Sequence, residues 1–135
     1  MSVDGPVGIV LVSHSAAVAT AVAELARGLA GGGTVPVATA GGTEDGGLGT
    51  SAGLIAAAAR AVDRGAGVAL LADLGSSVLT VKALLAEGGE LPDGSRLLDA
   101  PFVEGAVAAV VTATAGAGLE DVTAAAEEAY AYRKV

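Results

Sequence analysis

The sequence predicts one α/β domain over residues 1–135, built in three layers, with a mostly parallel sheet of four to five strands and helices on both faces. Short runs of Val, Leu and Ile alternate with Ala-rich helical runs four times along the chain, a pattern typical of parallel sheets. The strand-like runs are continuously apolar, as expected for strands that are buried on both faces. No internal repeat or linker divides the chain, so one domain is the simplest interpretation.

The elements follow each other in strand–helix order, separated by turns rich in Gly and Pro. The strands are predicted at residues 7–12, 35–39, 68–72 and 96–99. The helices are predicted at residues 16–29, 52–63 and 75–87, then after 101–105 to about 115, and finally at 119–132. The first helix carries apolar residues at helical spacing, which we expect to form its core face: Val18, Val22, Leu25 and Leu29.

The run from Gly105 to Leu119 contains no charged residue. A helix that is apolar all round is buried, and in a small domain a contact between two subunits is one way to bury it. This run therefore agrees with a homodimer, while packing against the domain's own sheet is the alternative.

Composition and charge argue against several classes of function. The net charge is −8 and the seven basic residues are scattered, which argues against nucleic-acid binding and favours basic protein partners. The chain has no cysteine, so disulfides and thiolate chemistry are excluded. The uncharged run at 105–119 is shorter than the ~20 residues of a membrane-spanning helix, and residues 1–5 do not resemble a signal peptide. We therefore expect a cytoplasmic protein that does not bind membranes.

Functional side chains are expected where parallel strands end, because ligands bind at the carboxyl edge of such sheets. His14 follows the first predicted strand and Asp73 follows the third. If these strands are neighbours, the carboxylate can fix the tautomer of the imidazole and leave its other nitrogen as a nucleophile for phosphorus. The alternatives are a polar surface histidine and an aspartate that caps the helix at Gly75.

Polar groups in the same loops predict a binding site for a phosphoryl group. They lie at or near predicted helix starts: Ser15, Thr50, Gly75, Ser76 and Ser77. Their hydroxyl and N–H groups can hold phosphoryl oxygens, although N-capping is the ordinary role of such residues. With a single histidine and no cysteine we expect no metal site. We also expect no other cofactor, because the phosphoryl group would be carried covalently on His14.

Two common nucleotide-binding motifs are absent from the sequence. Neither a P-loop nor a G-x-G-x-x-G dinucleotide motif occurs. A domain with one histidine, a nearby aspartate and no nucleotide loop is suited to relaying a phosphoryl group rather than to drawing it from ATP.

Four sequence blocks stand at the predicted strand ends: Ile9–Ser15, Gly49–Ser51, Asp73–Ser77 and Ala100–Ala106. Their order and spacing resemble those of the DhaM family, the phosphocarrier subunits of phosphoenolpyruvate-dependent dihydroxyacetone kinases. The core domain of that family is similar to the mannose-type EIIA domain of the bacterial phosphotransferase system. The resemblance covers about residues 7–126.

The resemblance implies a phosphotransferase subunit that works as a phosphohistidine carrier. His14 matches the histidine that receives phosphoryl from phospho-HPr, Asp73 matches the carboxylate that holds the imidazole, and Ser76 or Ser77 matches a hydroxyl near the phosphoryl group. The carrier would pass the group to ADP on the DhaL subunit, and dihydroxyacetone on DhaK would be the final acceptor. The resemblance also implies a homodimer, in which an extra antiparallel strand can join the sheet near the dimer contact.

Two other functions fit parts of the sequence. One is a mannose-type EIIA component of sugar transport, but the short loop at Leu74–Gly75 favours the DhaM type. The other is a receiver-like regulatory domain that is phosphorylated on Asp73. Such a domain needs an acidic pair after its first strand to hold Mg²⁺, and this chain has Ser13 and His14 there instead. It also needs a lysine on a late strand, and no predicted strand of this chain contains one.

Overall fold

The computed structural model describes residues 5–135, which form the predicted three-layer α/β fold. The expectation that the chain begins without a signal peptide rests mainly on residues 1–4, outside the described residues. The strands are β1 (Gly8–Ser13), β2 (Val37–Gly41), β3 (Val68–Ala72) and β4 (Ser95–Leu97). The helices are α1 (Ala16–Leu29), α2 (Ala52–Val62), α3 (Gly75–Glu87), α4 (Phe102–Thr114) and α5 (Leu119–Glu128), and a 3-10 turn follows at Ala129–Ala131.

The four strands form one sheet in the order β2-β1-β3-β4, and every neighbouring pair is parallel. Val12 pairs with Ala40 on one side and with Ala72 on the other, so β1 and β3 end side by side. Within residues 5–135 the sheet has no antiparallel strand, so the additional strand allowed by the family resemblance is not present there.

Alternate residues of the strands face two separate hydrophobic cores, as the period of a β-strand requires. On one face, Ile9, Leu11 and Leu71 pack under α1, α4 and α5. On the other face, Val10 and Leu70 pack, with other strand residues, under α2 and α3. Both faces are covered, which explains why the strand sequences are continuously apolar.

Element boundaries differ from the predicted ones by one to four residues. Strand β2 begins at Val37 instead of residue 35 and extends to Gly41, because the ladder with β1 continues until Gly41 pairs with Ser13. Strand β4 ends at Leu97 rather than residue 99. Helix α4 already begins at Phe102, directly after Pro101, and α5 ends at Glu128, with the 3-10 turn in place of its last predicted turn.

The predicted core face of α1 is wrong in three of its four residues. Val22 is buried, but Val18, Leu25 and Leu29 are 45%, 46% and 63% exposed. The helix instead buries Ala19, Ala23 and Ala26. Small side chains let α1 lie close to the sheet, and the larger residues are displaced to its flank, where they form an exposed apolar stripe.

The apolar helix α4 is buried mainly against its own domain. It packs against α1, α5 and β3, and it buries one face of small residues: Gly105, Ala106, Ala109, Val110 and Ala113. Gly105 permits a close approach, since a Cβ at this position would lie 2.8 Å from Ala100 Cβ and 3.1 Å from Leu71 Cδ2. Among the described residues, no helix combines the length and the apolar character that crossing a membrane requires.

Candidate functional site

The neighbouring ends of β1 and β3 bring His14 and Asp73 together at the carboxyl edge of the sheet. The chain leaves β1 toward β2 on one side, while β3 lies on the other, so this is the point where the strand order switches. The N–H of Asp73 donates to the carbonyl of Val12 at 3.1 Å, which continues the ladder up to the site. The two side chains are therefore in direct contact at this edge of the sheet.

Asp73 holds His14 through both the ring and the backbone. The carboxylate Oδ1 lies 2.9 Å from the ring nitrogen Nδ1, and Oδ2 accepts the backbone N–H of His14 at 3.0 Å. A carboxylate at Nδ1 keeps the ring proton on that nitrogen and leaves a lone pair on Nε2. Asp73 is therefore placed to fix the orientation of the imidazole. It does not cap α3, whose N-cap residue is Leu74 and has no side-chain cap.

Two buried serines complete the surroundings of the carboxylate. Ser13 Oγ donates to Oδ2 at 2.8 Å, and Ser77 Oγ donates to Oδ1 at 2.9 Å. Both serines are fully buried. Ser13 was missed as a site residue, although a hydroxyl that closes an otherwise apolar, buried strand is a signal that could have identified it.

These contacts determine the charge of Asp73. Burial by itself raises the pKa of the carboxyl, but the backbone N–H and ring of His14 and the hydroxyls of Ser13 and Ser77 outweigh it and lower the pKa to about 2. The side chain is only 14% exposed. The site thus holds a permanent negative charge next to Nδ1 throughout the neutral pH range.

The other ring nitrogen, Nε2, faces solvent and the beginning of α3. Ser76 is exposed, and its Oγ forms a hydrogen bond with Nε2, while the ring of His14 is 25% exposed. No side chain caps α3 and no acidic residue lies in its first turn. The free N–H groups and the positive end of this helix therefore favour an anion beside Nε2.

The residues that were predicted to bind the phosphoryl group differ in their position relative to Nε2. Ser76 and the exposed Gly75 lie at the open start of α3, whereas Ser77 is buried and 3.1 Å from Nδ1. Ser15 accepts the N–H of Val18 and caps α1. The hydroxyl of Thr50 contacts that of Thr80 at 3.2 Å rather than His14. Ser15 thus has the ordinary capping role, and Thr50 lies outside the hydrogen bonds of the imidazole.

The fourth predicted loop lines a groove on the side of Asp73. Its residues Pro101 and Phe102, together with Lys82 and Tyr130, line a groove of about 510 Å³ that opens beside Asp73 at the ends of β3 and β4. Across residues 5–135, no three His, Cys, Asp or Glu side chains are grouped so that they could hold a metal ion.

Comparison with known proteins agrees with this geometry. Residues 8–123 match the family EIIA-man, described as the PTS system fructose IIA component. The chain is 37% identical over 106 residues to the phosphoryl donor subunit DhaM of PEP-dependent dihydroxyacetone kinase 2 from Listeria innocua, a match that covers 78% of this chain and 84% of the relative. It is 35% identical to DhaM of PEP-dependent dihydroxyacetone kinase from Escherichia coli K12 over 86% of this chain, but this match covers only 25% of that longer protein.

Solved structures show the same fold. A crystal structure described as the unknown function protein EF1359 superposes with a TM-score of 0.78 at 30% identity, covering 92% of this chain and 95% of that one. A sigma-54 interaction domain protein from Enterococcus faecalis has a TM-score of 0.68 at 19% identity, over 95% and 93% of the two chains, which shows the fold alone. The matches to the family and to its DhaM members agree with the site at the ends of β1 and β3, and this chain therefore belongs to the EIIA-man family as a DhaM-like phosphocarrier domain.

Proposed function

We propose that the chain carries a phosphoryl group on Nε2 of His14, between a phosphorylated donor protein and a nucleotide-bound acceptor. The observation that carries this proposal is the 2.9 Å contact between Asp73 Oδ1 and Nδ1. Because this contact occupies Nδ1, the nucleophilic lone pair is on Nε2, which faces the uncapped start of α3.

The first half of the relay is an attack by Nε2 on the phosphorus of the donor's phosphohistidine. A bond forms between Nε2 and phosphorus, the donor's P–N bond breaks, and its electron pair returns to the donor nitrogen. The phosphorylated ring of His14 then carries a positive charge while Nδ1 keeps its proton. The ionised Asp73, whose pKa is about 2, stabilises this charge without taking the proton.

The start of α3 accommodates the transferred group. The Ser76 hydroxyl contacts Nε2 in the unphosphorylated ring, and it would turn to donate to a phosphoryl oxygen once Nε2 is bonded to phosphorus. The N–H groups of the first turn, including that of Gly75, would bind further oxygens. Return of the electron pair to Nε2 during the second transfer restores the neutral imidazole for the next cycle.

The identity of the partners rests on the DhaM relatives, which are phosphoryl donor subunits of PEP-dependent dihydroxyacetone kinases. We accordingly propose phospho-HPr as the donor, ADP on the DhaL subunit as the acceptor, and dihydroxyacetone on DhaK as the final acceptor, all in the cytoplasm. A homodimer is part of the same proposal, supported by the exposed stripe of Val18, Leu25 and Leu29 on α1. No cofactor is needed besides the covalently carried phosphoryl group.

A receiver-like domain phosphorylated on Asp73 is the weaker candidate. Both carboxylate oxygens already accept hydrogen bonds from buried or backbone groups, including those from Ser13, Ser77 and the N–H of His14. Attack by either oxygen on phosphorus would break several of these bonds at once. Nε2, in contrast, makes a single hydrogen bond among residues 5–135, with the hydroxyl of an exposed serine.

The test is the intact mass after incubation with phosphoenolpyruvate, enzyme I and HPr, for the wild type, His14→Ala and Ser51→Ala. We expect one acid-labile phosphoryl group on the wild type and none on His14→Ala. Ser51→Ala is the matched control, since Ser51 caps α2 at the same edge of the sheet without touching His14. A wild type that gains no mass from active donors, or a base-labile group that persists in His14→Ala, would contradict the proposal.

A further inference from the structure

A second set of hydroxyls lies one turn behind the site. Thr80, on α3, donates from Oγ1 to the backbone carbonyl of Ser76 at 2.9 Å. Its hydroxyl has only one hydrogen, so the 3.2 Å contact between Thr80 Oγ1 and Thr50 Oγ1 is donated by Thr50. The two threonines thus form a chain of hydrogen bonds with a fixed direction, from Thr50 through Thr80 to Ser76.

The same loop is also tied to His14. The N–H of Gly49, the residue before Thr50, donates to the carbonyl of His14 at 2.9 Å. The segment Gly49–Thr50 therefore contacts the backbone of His14 on one side and the first turns of α3 on the other. It connects the nucleophile with the helix start that faces Nε2, separately from the direct contact between Ser76 and the ring.

The start of α3 is the part of the site that most needs such a support. A helix end without a side-chain cap frays, and α3 lacks a cap, whereas α1 and α2 are capped by Ser15 and Ser51. The carbonyl of Ser76 lies in this first turn, and holding it restrains both the Ser76 hydroxyl and the free N–H groups. An error of about 1 Å in the position of a reacting or binding group can cost on the order of 100-fold in rate.

We propose that Thr80 and Thr50 are positioning residues for phosphoryl transfer: through Thr80, Thr50 fixes the first turn of α3, and with it Ser76, relative to Nε2 of His14. This inference rests on the proposed function of His14 as the phosphoryl carrier. Neither threonine touches the imidazole, so their effect is on the placement of the groups that receive the phosphoryl oxygens, not on the nucleophile itself.

The experiment compares Thr80→Val, Thr80→Ser and Thr50→Val with the wild type in single-turnover transfer from phospho-HPr, followed by rapid quench. Valine keeps the shape of threonine without its hydroxyl, whereas serine keeps the hydroxyl. We expect Thr80→Val to accept one phosphoryl group per chain at a maximal rate lowered about 10-fold, with the donor concentration at half-saturation changed less than about 2-fold. Thr80→Ser should recover the wild-type rate to within about 3-fold.

The double variant Thr50→Val/Thr80→Val gives the sharpest test, because two residues that act in series should not have additive effects. We expect it to be no slower than Thr80→Val alone. A wild-type rate in Thr80→Val, failure of serine to restore the rate in a variant of unchanged thermal stability, or fully additive losses would overturn the inference. If Thr80→Val does not fold, Thr50→Val alone decides it by the same rate criterion. Absence of phosphorylation in the wild type would instead refute the carrier function itself.

Discussion

Single side chains set the chemistry of the site, and Asp73 is the most constrained of them. Its two oxygens accept from the ring and backbone of His14, from Ser13 and Ser77, and from the N–H of Leu74 at 2.7 Å. These groups donate hydrogen bonds to the ionised carboxylate, so the carboxylate and the histidine hold each other in place. The arrangement should contribute to the stability of the fold as well as to the reaction.

Because of these contacts, we predict that Asp73 makes a pH-dependent contribution to the free energy of unfolding. The pKa of Asp73 is lowered from 3.8 to about 2 in the folded protein. Since the unfolded chain takes up the proton first as the pH falls, the stabilisation is complete above about pH 4 and is lost between about pH 4 and 2. It amounts to about 2 kcal/mol.

Urea unfolding at pH 7, 4 and 2.5 for the wild type and Asp73→Asn measures this term. The variant should be less stable than the wild type at pH 7, and the difference between them should shrink toward pH 2.5. Asp99→Asn, at an exposed carboxyl outside the hydrogen bonds of His14, is the control and should follow the wild type. An equal loss of stability in Asp73→Asn at all three pH values would contradict this account.

Among the helices and strands, close packing through small residues determines how the layers meet. Helices α1 and α4 face the sheet mostly with alanine and glycine, and three of the larger apolar residues of α1, Val18, Leu25 and Leu29, are exposed. Such contacts leave little room for added atoms, because a packed interior relaxes only partly around an extra methyl group.

Gly105→Ala should therefore destabilise the protein. A Cβ at this position would lie 2.8 Å from Ala100 Cβ, and overpacking of this kind costs about 1–3 kcal/mol. Alanine recovers up to about 1 kcal/mol of helix propensity, which leaves a net loss of about 1 kcal/mol in the free energy of unfolding.

Gly28→Ala is the matched control for this substitution. Gly28 also lies in a helix, α1, but nothing is within 4 Å of a Cβ added there. This variant should gain up to about 1 kcal/mol. The two variants should thus differ by about 2 kcal/mol in chemical denaturation, and equal stabilities would show that α4 does not pack on Ala100 as closely as described.

For the whole molecule, the dominant property is the acidic charge of −8. Such a charge attracts basic protein partners and speeds their encounter, and added salt screens the attraction over about 10 Å at 0.1 M and about 3 Å at 1 M. A small anionic phosphoryl donor is not attracted by the same field.

For the donor proposed above, phospho-HPr, we therefore expect kcat/KM for phosphorylation of this chain to fall about 10-fold between 50 and 500 mM NaCl, with kcat nearly unchanged. Chemical phosphorylation by phosphoramidate is the control, and its rate should not decrease over the same range. A value of kcat/KM for the protein donor that does not change with salt would show that the acidic surface does not guide the encounter.

Much of the fold and part of the site could be predicted, because local patterns in the sequence indicate them. Continuous apolar runs between Gly-rich turns indicated buried parallel strands, and a histidine and an aspartate at two strand ends indicated a shared crevice. The boundaries of β2 and α4 and the core face of α1 were less accurate. In an alanine-rich helix every face is apolar enough to be buried, so periodicity cannot select one of them.

The sequence by itself determined the fold class, the single histidine and the acidic charge, because these follow from residue types and their periodicity. Only the tertiary structure decided the order β2-β1-β3-β4, which brings Asp73 beside His14, and the contact of Asp73 with Nδ1 rather than Nε2. It also placed Ser76 on the side of Nε2, Ser77 and Ser13 on the carboxylate, and Thr50 against Thr80. These pairings join residues that are mostly far apart in the chain, and their distances depend on how strands and helices pack, which no local pattern encodes.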